Sequence, residues 1–431
     1  MIGTLIQLLI LLIFPLLFLL PRLGIGLYLT CFFLIPSLSL PALGLEDVET
    51  SVLFALAFMA ANVRNMKYVK RIDYSPFIPF VILYTVFFFL TFLSAREVPL
   101  TFSLKIFIRY FIMTFIIPIS MYTMICCKPS LLKLANKAVI LTIAVSVGYG
   151  LILIMYNGAN PYLDMLHSEI SLPEIHLGDD SDRLFGAISS VFMHPMSFGV
   201  MIGLSFIYLI NIKQYQAVSP PIYIVLMIMT LLASVACGVR SSLAGLIGTG
   251  CVYLLLKRRF KLFLIGGAAA ILALIIMSYI PALDSYVGSM FQMESDNVHG
   301  SSIAQRLVQL GASINETQDN LYFGNGYAWH SYYIFNNDGY GHPLLHGWES
   351  LLFVAITDSG FVGVALWIVF CIYFCIKFKD VGIICLFAYF MLFRLATGQF
   401  GEEMFYYFYA LILCYRNITS NNIPTVIKRK I

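Results

Sequence analysis

ESLLFVAITDSG, residues 349–360, sets a carboxylate at the head of a run that stays almost wholly apolar to residue 376. A helix needs roughly 20 apolar residues to cross the hydrocarbon core of a bilayer, and this run is long enough. At about 100° per residue, the steps from Glu349 to Gly360 close on about three turns, so Glu349, Phe353, Ile356 and Gly360 fall on one stripe. A glycine on that stripe admits a neighbouring backbone, which would fix the helix in a bundle with Glu349 at its outer mouth. His346 joins the same face if the helix starts one turn sooner. The plain alternative is a carboxylate that marks a helix N-terminus and favours its dipole.

The rest of the chain repeats the pattern. Its 431 residues are 60% hydrophobic and 11% charged, and the mean hydropathy is +0.88. A soluble domain carries about a quarter charged residues, so this composition belongs to an integral membrane protein. Apolar runs fall at about 2–20, 23–40, 48–63, 76–94, 104–125, 134–156, 188–210, 220–237, 241–256, 261–280, 349–376, 381–397 and 403–415. The first has no basic leader and reads as a span; a mistake among the first two would lower the total by one. The expected fold class is all-α, a polytopic membrane protein of about 12 to 13 transmembrane helices. It forms a single membrane-embedded domain over 1–431, with a large outer loop at 281–348. The nine cysteines have neither a disulfide framework nor zinc spacing.

Cytoplasmic loops retain Lys and Arg, which orients the chain. Alternate connections are basic: Arg64 to Arg71, Lys128 to Lys137, Lys213, Lys257 to Lys261, Lys377 with Lys379, and Arg416 to Lys430. The opposite set is acidic or nearly neutral and faces outward: Glu46 to Glu49, Asp164 to Asp182, and Pro281 to Trp348. All seven histidines fall on that outer side. The large loop is too long for a structureless connection. Within it, Ile303, Leu307, Leu310 and Ile314 have helical spacing and predict an amphipathic helix. The aromatic stretch after it holds Tyr327, Trp329 and, at its end, Trp348, which with His194 are candidate sugar contacts. An interfacial aromatic belt would use the same rings. Gly324 and Gly326 read as a turn.

Three arginines stand on the outer side, which should be depleted of them: Arg183, Arg240 and Arg306. Arg240 lies in a minimal turn between two spans, where an arginine costs ~2.5–3.5 kcal/mol on insertion scales. An anion such as a phosphate or pyrophosphate headgroup would offset that cost, aided by the amides of the next helix. The bland readings are an arginine snorkelling to the interface and, for Arg306, a solvated helix face. Asp179, Asp180 and Asp182 come nearest to a metal-binding acidic pair and read better as a solvated acidic loop. Neither a metal nor another cofactor is expected, and nucleic acid is not an expected partner.

Four stretches in order, 183–203, 236–250, 301–330 and 346–367, together resemble the O-antigen polymerase and ligase superfamily of bacterial polysaccharide assembly. The resemblance covers roughly 183–376. It implies a GT-C-like, metal-independent glycosyltransferase of the bacterial inner membrane, with its active site facing the periplasm. Undecaprenyl-diphosphate-linked oligosaccharides would be donor and acceptor, and a chain-length regulator is a further implied partner. On this resemblance Arg240 and Arg306 contact the donor diphosphate, with Arg183 a third candidate. The ligases carry a histidine at the start of the span after the large loop, where this chain has Glu349. That difference favours a polymerase, with Glu349 or His346 as general base, over a ligase acting on lipid A core. A flippase for lipid-linked sugars is the competing class, but it should place charge along a path through the membrane. Lys105 and Arg109 are almost the only basic residues expected inside a span, and no internal repeat is evident.

Overall fold

The computed structural model describes residues 12, 13, 15, 16, 19, 21–35, 50–62, 72–95, 97–156, 159–167, 188–279, 303–337, 341–345, 348–398 and 402–419. Arg183, His346 and the acidic 179–182 stretch lie outside them. Among the described residues every regular element is a helix. In chain order these are α1 (Pro21–Leu34), α2 (Thr50–Asn62), α3 (Ile78–Leu90) and α4 (Leu100–Phe111). A π-helical turn at Ile112–Ile116 carries α4 into α5 (Ile117–Cys127). Next come α6 (Ser130–Leu153), α7 (Pro161–His167), α8 (Pro195–Lys213), α9 (Pro220–Ala236), α10 (Arg240–Leu256) and α11 (Phe260–Ser278). The large loop contributes α12 (Ile303–Asn315) and α13 (Trp329–Asn336), and α14 (Leu351–Lys377), α15 (Val381–Thr397) and α16 (Glu402–Thr419) complete the chain.

Four stretches are long and apolar enough to cross a membrane: Leu100–Cys127, Ser130–Tyr156, Pro195–Lys213 and Leu351–Lys377. Six shorter apolar helices accompany them among the described residues. Local chemistry sets where the helices begin. Pro195 and Pro220 sit in first turns, where a missing N–H costs nothing. His194 Nδ1 caps α8 by accepting from the Met196 amide at 3.1 Å, and Asp380 caps α15 at the Ile383 amide, 3.0 Å. Ser350 caps α14 at the Leu352 amide, 3.2 Å, so Glu349 lies one residue outside that helix and not on its first turn. All nine cysteines are free thiols.

The core crossing joins α8, α10 and α15. Tyr389 of α15 lies so close to α8 that a Cβ on Gly203 would sit 1.9 Å from its ring. Its hydroxyl donates to the Gly199 carbonyl at 3.1 Å, and Ser242 of α10 donates to the same carbonyl at 2.7 Å. α10 and α15 run antiparallel, because Gly245 meets Tyr389 while Tyr253 and Lys257 share a cavity with Asp380 and Cys385. One end of the bundle therefore gathers Lys257, Lys379 and the C-terminus of α8. The opposite end carries His194, Arg240, Ser350 and Gly398, tied by Ser350 Oγ donating to the Leu395 carbonyl at 2.7 Å.

Candidate functional site

The site is built on a break in α14. Gly360 has φ +64 and ψ −165, a left-handed backbone that favours glycine. The expected continuous stripe from Glu349 to Gly360 is therefore interrupted at both ends: Glu349 precedes the helix and Gly360 leaves it. A helix break strands backbone donors and acceptors that must find partners when buried. The loop segment 321–326, a strand of chain in turns and not a β-strand, supplies them. Amides of Asn325 and Gly326 donate to the carbonyls of Thr357 and Asp358 at 2.9 and 3.1 Å. Amides of Phe361 and Val362 donate to Leu321 and Tyr322 at 3.1 Å each. A neighbouring backbone does approach Gly360, and it is this strand, so close that a Cβ would stand 2.4 Å from the Tyr322 carbonyl carbon.

The docked strand delivers α13 to Asp358. The Asp358 carboxylate accepts from the His330 amide through Oδ1 at 3.1 Å, and from the Ala328 amide through Oδ2 at 3.1 Å. His330 Nδ1 lies 2.9 Å from Oδ2, and its Nε2 lies 2.9 Å from Ser331 Oγ. Beside this pair Arg394, 2% exposed, places Nη1 3.4 Å from Glu402 Oε1. Its guanidinium covers the Phe390 ring, and Nη1 makes no hydrogen bond. A buried pair of this kind is costly to break, at ~3–5 kcal/mol, because the surviving charge has no solvent. Asp358, His330, Arg394 and Glu402 line one partly open cleft of about 70 Å³ together with Tyr84, Tyr110, Tyr327 and Trp367. Burial raises the Tyr327 phenol well above its usual range, and its hydroxyl meets that of Tyr84. It remains a neutral donor and acceptor.

A second pair forms just before α14. Arg306 of α12 bonds to the Glu349 carbonyl oxygen and to the Ala396 carbonyl oxygen, the latter at 2.8 Å. Its Nη2 stands 3.5 Å from Glu349 Oε2, which also accepts from Gln309 at 3.3 Å. Burial pushes the Arg306 guanidinium below its ordinary value, and the Glu349 charge opposes that. With side chains 28% and 37% exposed, the pair adds only ~0–1 kcal/mol of stability. The ion pair itself adds little stability, while the same guanidinium ties α12 to the backbone at Glu349 and Ala396 and stays partly exposed.

The other sequence candidates are placed as follows. Arg240 is the first residue of α10, at the site end of the bundle. Tyr327 lines the cleft. Trp329 and Trp348 instead pack edge-on at 5.6 Å in a small core beneath the loop. Their indole nitrogens donate to Glu97 at 2.7 Å and Thr357 at 3.2 Å, so both rings are structural. The amphipathic helix forms as α12, but its buried face is Gln309, Ala312 and Ser313, while Leu307 is 58% exposed. The pairing with Glu349 and the packing on α14 turn the helix this way. His330, Asp358, Arg394 and Glu402 were missed by sequence reasoning. Asp358 and Arg394 each sit alone inside an apolar run, and a charge inside a span is the signal that could have found them. Among the described residues no cluster of metal-ligating side chains occurs.

These observations define a class: an all-helical protein with helices of membrane-crossing length and a charged, ring-lined cleft at the end of the bundle opposite Lys213, Lys257 and Lys379. Beyond the class, no protein-family model and no curated relative matches the chain.

Proposed function

We propose that this chain is a membrane glycosyltransferase that polymerises lipid-linked oligosaccharide repeat units at the outer face of the bacterial inner membrane. The observation that carries the reading is the Arg306–Glu349 pair, a partly exposed guanidinium at the same end of the bundle as the cleft. A diphosphate leaving group needs that cation. Arg306, with Arg240 at the N-terminus of α10, would offset the charge that builds as undecaprenyl diphosphate departs. The gathering of Lys213, Lys257 and Lys379 at the opposite end supports an outward-facing cleft. The glutamate at 349 favours a polymerase over a ligase, as the resemblance implies.

Purified protein with lipid-linked repeat units tests this directly. Arg306→Ala and Arg240→Ala should cut polymer formation about 100-fold, and Glu349→Gln about 10-fold at limiting donor, the scale of removing one transition-state contact. Undiminished polymer from Arg306→Ala and Glu349→Gln would sink the reading.

A flippase has one observation in its favour, the buried charges of Asp358 and Arg394. Both are shallow. Asp358 lies seven residues into α14, about 10 Å down, and Arg394 three residues from the end of α15, about 5 Å. Cells lacking the protein should accumulate single lipid-linked repeats on the outer surface; accumulation on the inner one would favour the flippase.

A further inference from the structure

Given the glycosyl-transfer reading, on which this assignment rests, we propose that the cleft seats the acceptor sugar and that His330, not Glu349, takes the proton of its attacking hydroxyl. The hydrogen-bond pattern fixes the imidazole. Asp358 accepts from two backbone amides as well as from the ring, so its carboxylate is an acceptor throughout and Nδ1 must carry the ring proton. That leaves the Nε2 lone pair for a ligand. An imidazole oriented through Nδ1 by a buried carboxylate is an arrangement suited to a general base that activates a hydroxyl. Ser331 Oγ now occupies Nε2 at 2.9 Å. A serine rotamer change clears the position for a sugar hydroxyl.

The surroundings fit an uncharged sugar. Tyr84, Tyr327 and Trp367 line it with aromatic surface of the kind that packs against a pyranose. Arg394 Nη1 is buried without a hydrogen bond, while Glu402 already balances its charge. That donor asks for a neutral oxygen, not a phosphate. Glu349 is less suited to the proton transfer: its carboxylate is held by Arg306 and Gln309, and it does not line the cleft. In the step, the acceptor O–H bond breaks and the proton passes to His330 Nε2. The oxygen's electron pair forms the new bond to the anomeric carbon, and the bond from that carbon to the diphosphate breaks with its electrons leaving on the diphosphate. The imidazolium then returns its proton to water.

The competing role is structural, since Asp358 also satisfies amides at the start of α13. His330→Asn separates the two. Asparagine keeps an N–H near the Nδ1 position for Asp358 and removes the Nε2 acceptor. With the full chain in lipid nanodiscs and lipid-linked repeat units, His330→Asn should keep the wild-type melting temperature and a KM within about twofold, while kcat falls about 100-fold or more. Added imidazole should restore about 10-fold of the activity lost by His330→Ala and none of that lost by Arg306→Ala. Glu349→Gln should raise the donor KM and leave kcat within about 10-fold of wild type. A His330→Asn enzyme with wild-type kcat overturns the assignment, as does a Glu349→Gln enzyme with no turnover beside an active His330→Asn. Absence of any transfer by the wild-type protein overturns the glycosyl-transfer reading beneath it instead.

Discussion

Gly360 is the residue on which the site geometry turns. Its left-handed backbone aims the docked strand, and the strand carries His330 to Asp358. Alanine there meets two penalties at once, the unfavourable φ and a Cβ 2.4 Å from the Tyr322 carbonyl. Gly360→Ala should destabilise the protein by at least ~1–3 kcal/mol, the usual cost of such a backbone in a non-glycine residue. Thermal unfolding in detergent reads this as a lower melting temperature, and amides 325, 326, 361 and 362 should lose hydrogen-exchange protection first. Unchanged protection at those amides would show that the break does not depend on glycine. The sequence offered Gly360 as a point of close approach, which the strand makes. The non-helical turn was not legible, because hydropathy averages over the window that contains it.

At the scale of elements, tertiary packing decided which side chains met. α12 was expected from its apolar spacing, but ion pairing to Glu349 and docking on α14 turned polar Gln309 and Ser313 inward. The α8, α10 and α15 crossing depends on small residues at the contact, where Gly203 leaves room for the Tyr389 ring. Gly203→Ala overpacks this contact and should cost ~1–3 kcal/mol or more. Gly250→Ala, in a helix of the same crossing but with nothing within 4 Å of the new Cβ, should be neutral or gain ~0.5–1 kcal/mol through helix propensity. Equal melting temperatures for the two variants would remove Tyr389 as the element that sets the crossing.

For the whole molecule, the separation of charge is the testable property. Lys213, Lys257 and Lys379 gather at the end of the bundle where α8 and α10 finish, and the charged cleft lies at the other. If the positive-inside rule orients the bundle, Tyr322, 68% exposed in the docked strand, faces the outside. In a cysteine-free background, Tyr322→Cys should react with a membrane-impermeant maleimide in intact spheroplasts, whereas Lys257→Cys should react only after permeabilisation. The reverse pattern would invert the orientation and remove access of an external substrate to the cleft.

Sequence by itself determined that the chain is helical, that several helices are of membrane-crossing length, and roughly where most of them begin. Those properties follow from composition and periodicity, which are local or additive. Only the tertiary structure decided that Trp329 and Trp348 are core, that Asp358 holds His330, and that Arg394 answers Glu402. Each of those pairings forms across a helix break or between separate elements. A single buried charge in an apolar run acquires its meaning from the partner that folding brings to it.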